Sequence, residues 1–180
     1  MPVGRRFAVI VAGGQGRRMN NEVPKQFIEI SGKPILVYTL ESFLRVEVDV
    51  LILVMAKDHF ERWASIKEQW LPKHSIQIVD GGETRFHSVK NGLKWVEGPG
   101  IVAIHDAARP CVSAQLINAG YEAAAIHKSA VASVALKDSI REKSGGTTVS
   151  RDRSNYYLIQ TPQTFDIDLL KKSYEMANGA

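Results

Sequence analysis

The sequence has little cysteine and no long hydrophobic run, and each absence restricts the class of protein. Cys111 is the one cysteine in 180 residues, so no disulfide can form within the chain and a reducing compartment is indicated. With no base partner evident in the sequence, Cys111 is expected to be a small buried side chain. The apolar run Phe7–Val11 is too short for a signal peptide, and no other run approaches a membrane span. We expect a soluble, cytoplasmic protein with no membrane partner.

Several functional motifs are absent as well. The five histidines have no His-x-x-x-His or Cys/His spacing, so a structural zinc site is not expected. No Gly-x-Ser-x-Gly elbow indicates an α/β-hydrolase. Lys and Arg exceed Asp and Glu by 23 to 19, but no basic run is interleaved with aromatic residues. Nucleic acid is therefore not the expected partner, and a small anionic ligand fits the charge at least as well.

Short β-branched runs alternate with segments of helical spacing, which favours an α/β fold. The strand-like runs are Phe7–Val11, Val50–Met55, Ile76–Val79, Ile101–Ile104 and Ala130–Leu136, all typical of buried strands. Helical spacing occurs after Pro34 (Ile35, Tyr38, Thr39, Ser42, Phe43), in Phe60, Trp63, Ala64 and Ile66, in Val89, Leu93 and Trp95, and in 114–127 and 168–176. This alternation predicts a mostly parallel twisted sheet with helices on both faces, forming a single domain over residues 1–180.

Residues 137–157 interrupt this alternation. They are polar, and the segment Lys143–Ser150 contains two glycines and only weak alternation of period two. We expect a hairpin or arm that projects from the sheet, rather than another βαβ unit.

Ligands of open α/β sheets bind beyond the carboxyl ends of the strands, and the first candidate cluster, Val11–Met19, lies there. A dinucleotide-binding fingerprint would need glycine or alanine at position 19, and a P-loop would need lysine where Arg17 follows Gly16. What remains is a glycine turn with the cations Arg17, Arg18 and Lys25, which suits phosphoryl or nucleotidyl transfer. A tight turn with solvated basic residues is the alternative.

The second cluster is Asp80–Arg85, followed by Ser88. Two glycines after a strand allow close backbone approach to a base or a sugar. Because Asp-Gly is also an ordinary turn signal, the cluster by itself is weak.

The third cluster, His105–Pro110, follows the strand Ile101–Ile104 directly. Asp106 at the end of a strand is suited to hold Mg²⁺ or a substrate hydroxyl, and Arg109 to bind a phosphate. The alternative is that Asp106 caps the next helix while Arg109 forms a surface ion pair.

Taken together, these motifs resemble a specific family, the 2-C-methyl-D-erythritol 4-phosphate cytidylyltransferases. The segments that carry the resemblance are Ala12–Met19, Pro24–Gln26, Asp80–Gly82, His105–Pro110 and Thr161–Gln163, in order over residues 7–165. The resemblance implies a Rossmann-like nucleotidyltransferase fold of glycosyltransferase-A type. It also implies transfer of CMP from CTP to 2-C-methyl-D-erythritol 4-phosphate, with release of pyrophosphate and with Mg²⁺ or another divalent cation as cofactor.

The resemblance also implies roles for individual residues. The catalytic residues would be Arg18, Lys25 and Arg153; the nucleotide-binding residues Ala12, Gly13, Gly14, Gly16, Gly82, Glu83 and Ser88; and the acceptor-binding residues Asp106, Arg109, Ser139 and Thr161. Mg²⁺ would be held by Asp106 or else by the phosphates of CTP. The arm at about 137–157 would cross to a second subunit of a homodimer, so Ser139 and Arg153 would act across the interface.

Three departures from the family pattern stand out. Glu83 and Ser139 occupy positions where aspartate and threonine are usual. Family members also continue past Ala180 through a Thr-Asp-rich turn, a final strand and a lysine-bearing segment. We therefore expect either that the chain is truncated or that the sequence omits disordered residues, and that a protein ending at Ala180 binds the acceptor poorly. An intact mass well above 19.9 kDa would exclude truncation.

Other functions remain open at this point. Ribitol 5-phosphate cytidylyltransferases share the fold and the glycine-arginine loop, although Ala107 and Ala108 favour methylerythritol phosphate. Sugar-phosphate nucleotidylyltransferases match Pro24–Gln26 but not the third cluster. A module that binds CTP without catalysis is the alternative outside the enzymes.

Overall fold

The computed structural model describes residues 4–13 and 23–177. Its strands are β1 (Arg5–Val11), β2 (Glu29–Ile30), β3 (Lys33–Pro34), β4 (Val50–Met55), β5 (Gln77–Asp80), β6 (Gly100–Asp106), β7 (Ser129–Ala135), β8 (Ile140–Ser144), β9 (Thr147–Arg151) and β10 (Tyr157–Asp166). Its α-helices are α1 (Ile35–Leu44), α2 (Phe60–Trp70), α3 (Arg85–Leu93), α4 (Ala114–His127) and α5 (Ile167–Met176). Short 3₁₀ helices cover Lys25–Phe27, Lys57–His59 and Arg153–Asn155.

The main sheet has six strands in the order β5-β4-β1-β6-β10-β7. The first four are mutually parallel, whereas β10 runs antiparallel to both of its neighbours. The prediction of a mostly parallel sheet is confirmed. The insertion of β10 beside β6 has a consequence for the site, because it brings Thr161 next to the end of β6.

Alternate residues of β1 face two separate hydrophobic cores. Ala8 and Ile10 pack in the core that α1, α2 and α4 cover. Phe7 and Val9 pack in the core that α3 and α5 cover. Because successive side chains of a strand point to opposite faces, this arrangement confirms a sheet with helices on both sides. No helix in the described part of the chain is long and apolar enough to cross a membrane.

The arm is a hairpin that stands apart from the main sheet. Strands β8 and β9 pair only with each other, as a two-stranded antiparallel sheet. Of their residues only Ile140 is partly buried. At the base of the hairpin the guanidinium of Arg153 donates a hydrogen bond to the carbonyl oxygen of Lys137. The projecting arm predicted for 137–157 is therefore confirmed as a structural feature.

Three predictions about single side chains were wrong. Trp95 lies beyond the end of α3 and is 53% exposed, since two helical residues after Leu93 a side chain points to the opposite side. Ala64 is exposed on α2, because Trp63 and Ile66 form the buried stripe of that helix. Cys111 is exposed in the connection between β6 and α4 rather than buried.

Two strands also differ from expectation. The run Ala130–Leu136 was taken for a strand buried on both faces, but β7 is the edge strand of the sheet and most of its residues are exposed. Strand β10 was not predicted at all, because Pro162 interrupts its pattern. A register shift between Ile159 and Gln163 accommodates that proline, as bulges do in strands.

Candidate active site

The three candidate clusters meet at one edge of the sheet. Val11, the last residue of β1, is paired in register with Val54 of β4 and with Asp106 of β6. Asp80 ends β5 beside Met55. The loops that leave β1, β5 and β6 therefore emerge side by side at the carboxyl ends of parallel strands, where α/β folds bind ligands.

The hydroxyl of Ser88 organises the loops after β1 and β5. Ser88 is 2% exposed, and its Oγ accepts a hydrogen bond from the backbone N–H of Gly82 at 3.0 Å. A Cβ atom at Gly13 would lie 3.1 Å from this Oγ, and one at Gly82 would lie 2.3 Å from Cβ of His87. Both glycines are therefore needed for close approach of the backbone. Ser88 holds the shape of this region, and Glu83 beside it is exposed.

A buried glutamine brings the second part of the first cluster against the glycine loop. Gln26, in the 3₁₀ helix Lys25–Phe27, is 3% exposed. Its Nε2 donates a hydrogen bond to the carbonyl oxygen of Ala12 at 2.7 Å. The neighbouring Lys25 is partly exposed, so the buried amide anchors a lysine whose charge is accessible to an anion. Gln26 stood in the motif but received no role from the sequence.

On the other side of the site, two guanidinium groups hold the carboxylate of Asp106. Arg85 Nε donates to Oδ1 at 3.0 Å, and Arg109 Nε donates to Oδ2 at 2.9 Å. The guanidinium of Arg109 also donates to the side-chain oxygen of Gln160. The backbone N–H of Asp106 donates to Oγ1 of Thr161 at 3.3 Å. The structure thus brings Asp106, Arg109 and Thr161 together, and adds Arg85 and Gln160, for which no role was predicted.

Buried polar side chains support this loop from below. Thr39 Oγ1 donates to the carbonyl oxygen of Ala107 at 2.8 Å. His105 Nε2 lies 3.1 Å from the carbonyl oxygen of Arg109, which can only accept, so Nε2 carries the proton and Nδ1 is a buried acceptor without a partner among the described residues. Burial lowers the pKa of His105 to about 4, so its ring is neutral at neutral pH. His105 therefore acts as a fixed hydrogen-bond donor to the loop.

One alternative interpretation of this cluster is wrong in part. The cap of α4 is Ser113, whose hydroxyl accepts from the N–H of Leu116 at 3.1 Å, so Asp106 is not a helix cap. Arg109 does form an ion pair, and its partner is Asp106 itself, with side chains 45% and 30% exposed.

Other candidate residues are not brought to this edge. Ser139 and Arg153 lie on the exposed arm, and among residues 4–13 and 23–177 neither forms a hydrogen bond or ion pair with Asp106, Arg109 or Thr161. Gly14, Gly16, Arg17 and Arg18 lie outside the described residues. Their roles stay predictions.

Asp106 does not fit a direct magnesium site. Both of its oxygens already accept hydrogen bonds from guanidinium groups, whose positive charges oppose a bound cation. In the part of the chain that the structure describes, no group of three or more His, Cys, Asp or Glu residues is placed to hold a metal ion. Of the two predicted arrangements for Mg²⁺, only the one in which CTP phosphates carry the ion agrees with this geometry, and it stays a prediction.

Comparison with known proteins decides the family. The sequence profile of the 2-C-methyl-D-erythritol 4-phosphate cytidylyltransferases matches residues 7–180. The chain belongs to this family. A cytidylyltransferase of that name from Bacteroides fragilis is 46% identical over 173 residues, which cover 94% of this chain and 78% of the relative. One from Bacteroides thetaiotaomicron is 40% identical over 171 residues, with the same coverage.

Solved structures agree with this assignment of the chain to the cytidylyltransferase family. The 4-diphosphocytidyl-2C-methyl-D-erythritol synthase of Anaerococcus prevotii superposes with a TM-score of 0.84 at 30% identity, over 98% of this chain and 77% of the other. The 2-C-methyl-D-erythritol 4-phosphate cytidylyltransferase of Francisella tularensis gives a TM-score of 0.75 at 29% identity, over 95% and 76%. The resemblance stated from sequence motifs, its fold and its enzyme class are confirmed.

Proposed function

We propose that the chain transfers CMP from CTP to 2-C-methyl-D-erythritol 4-phosphate, giving 4-diphosphocytidyl-2-C-methyl-D-erythritol and pyrophosphate. The observation that carries the proposal is that the family profile spans residues 7–180, while the loops that bear the family motifs converge at one edge of the sheet.

The reaction is an in-line attack of a phosphate monoester oxygen on the α-phosphorus of CTP, with pyrophosphate as the leaving group. The attacking oxygen is already anionic near neutral pH, so no general base is needed. Catalysis consists of holding two mutually repelling anions in line and neutralising the charge that develops. Lys25, anchored through Gln26, and Arg18 are the residues proposed to contact the α-phosphate.

The nucleotide would occupy the side of the site built by the loops after β1 and β5. Ala12, Gly13 and Gly82 expose backbone groups there without side-chain bulk, and Ser88 holds the loops at their observed separation. Glu83, Gly14 and Gly16 complete the proposed nucleotide-binding set. Small residues of this kind permit the close backbone contact that recognition of a flat base needs.

The acceptor would occupy the side built by β6 and β10. Arg109 provides a guanidinium for its phosphate, Asp106 a carboxylate for a hydroxyl, and Thr161 holds the backbone of Asp106. Ser139 and Arg153 would complete this side from the arm of a second subunit, since in one chain they stay apart from it. Exposed apolar residues at the base of the arm are compatible with such an interface: Val131, Val134, Val149, Tyr157, Leu158 and Ile159.

The test is pyrophosphate release from CTP and Mg²⁺ with methylerythritol phosphate, beside ribitol 5-phosphate. Arg18→Ala should reduce kcat by about 10²–10³, as loss of one transition-state donor does. Arg45→Ala is the control, because Arg45 is exposed and pairs with Glu41. Faster release with ribitol 5-phosphate would assign the other substrate. CTP binding without release from either acceptor would indicate a nucleotide-binding module.

The shared site has a test of its own. Arg18→Ala and Arg153→Ala chains should each be nearly inactive, yet mixing them should restore activity, because one site of each mixed dimer then contains neither substitution. No recovery after subunit exchange would contradict arm exchange. Mg²⁺ dependence is checked with a chelator in the same assay, and a cytoplasmic location stays a prediction from the sequence.

A further inference from the structure

Arg85 directly joins loops on the two sides of the site. It is the first residue of α3, immediately after the loop that holds Gly82 and Glu83. Its Nε donates to Oδ1 of Asp106, which ends β6. Strands β5 and β6 are separated by β4 and β1, a distance of about 14 Å at the usual strand spacing. The ion pair therefore connects two loops that leave strands well apart in the sheet.

Asp106 has two guanidinium partners with different further contacts. Arg109 also donates to Gln160 and sits in the loop that follows β6. Arg85 is presented by a helix whose first turn is capped by Thr84, whose hydroxyl accepts from the N–H of His87 at 3.3 Å. An acceptor phosphate that recruits Arg109 would leave Asp106 with Arg85 as its remaining charged partner.

Folding stability gives this ion pair little reason to exist. The side chains of Arg85 and Asp106 are 44% and 30% exposed. Ion pairs of such exposure contribute little to stability, because water screens the charges and the long side chain loses conformational freedom. A role in ligand binding accounts for the pair better than a role in folding.

We propose that Arg85 is a positioning residue for the acceptor. It holds the carboxylate of Asp106 in the orientation that accepts a hydrogen bond from an acceptor hydroxyl, and it ties this carboxylate to the helix that shapes the nucleotide side. The inference rests on the proposed function, since it deepens the role of the same site.

The experiment compares Arg85→Gln, which removes the charge, with Arg85→Lys, which keeps the charge but loses the planar Nε donor. Lys90→Gln is the matched control, because it removes one exposed positive charge from the same helix without touching Asp106. Loss of a charge-assisted hydrogen bond predicts a KM for methylerythritol phosphate about tenfold higher in Arg85→Gln. The KM for CTP and the unfolding temperature should stay near wild type, and Arg85→Lys should recover only part of the loss.

A second measurement separates positioning from direct contact. Calorimetric titration gives the Kd for methylerythritol phosphate in the wild type, in Arg85→Gln, in Asp106→Asn and in the double variant. If Arg85 acts through Asp106, Arg85→Gln adds little once Asp106 is asparagine. Additive effects, or a rise confined to the KM for CTP, would overturn the proposal. A wild-type chain that binds neither CTP nor the acceptor contradicts the proposed function, whereas equal affinities in wild type and Arg85→Gln contradict only the role of Arg85.

Discussion

The two sides of the site are built from opposite materials. The nucleotide side, after β1 and β5, consists of glycines and backbone groups held by the buried side chains of Ser88 and Gln26. The acceptor side, after β6, presents the charged and partly exposed side chains of Asp106 and Arg109.

This difference follows from what each side is proposed to bind. A flat base is recognised at short range, so the protein must remove side-chain bulk and fix the backbone. A phosphate and a polyol are recognised through charge and hydrogen bonds, which long side chains can supply from a supported loop. The supports of the acceptor side are also distinct, because one of them, His105, is titratable.

The largest expected effect is on the acceptor side, in acid. The pKa of His105 is lowered to about 4 in the folded protein, against about 6.5 in an unfolded chain. The unfolded state therefore takes up a proton first as the pH falls below 6.5. The stability that the neutral ring contributes is present above that pH and is lost progressively down to about pH 4, by about 3 kcal/mol.

Unfolding by urea between pH 7 and pH 4 measures this loss. His105→Gln keeps a donor near the Nε2 position but cannot be protonated, so its stability should depend less on pH than that of the wild type. Equal pH dependence in both proteins would show that His105 is not the titrating group.

The next effect breaks the nucleotide side alone. Gly82→Ala places a Cβ atom 2.3 Å from Cβ of His87 and 2.9 Å from its carbonyl carbon, so backbone must move. A shift of this kind costs about 2 kcal/mol, and we expect the KM for CTP to rise about 30-fold, with a smaller change in the KM for methylerythritol phosphate.

Its neighbour provides the control. A Cβ atom at Gly81 would meet Ser88 Oγ at 3.4 Å, an ordinary contact, so Gly81→Ala should change the KM for CTP only slightly. If both substitutions raise that KM equally, close approach at Gly82 is not the cause.

The smallest effect tests the support of the acceptor loop. Thr39→Val keeps the shape of the side chain but leaves the carbonyl oxygen of Ala107 without its buried donor. This should cost about 1.5 kcal/mol and raise the KM for methylerythritol phosphate more than that for CTP. Thr39→Ser keeps the hydroxyl and should behave like the wild type in steady-state kinetics. A larger effect of Thr39→Val on CTP would mean that the two sides are not supported separately.

Much of this protein could be predicted from its sequence. The parallel strands, the helix Ala114–His127 and the projecting arm are each written in a local pattern of apolar and polar residues. Such patterns report which face of an element is buried, so they predict elements and fold class well. The motifs after the strands also located the candidate site, because the carboxyl ends of parallel strands share one edge.

Only the tertiary structure decided which side chains support that site. Arg85 meets Asp106 from a loop 21 residues away, and Thr39 meets Ala107 from 68 residues away. It also placed β10, which Pro162 conceals in the sequence, beside β6, and left β7 at the exposed edge. Contacts between distant residues depend on how strands are ordered and helices cross the sheet, and no local spacing records that order. The sequence by itself therefore determined the elements, the family and the place of the site, while packing determined the partners of its charges.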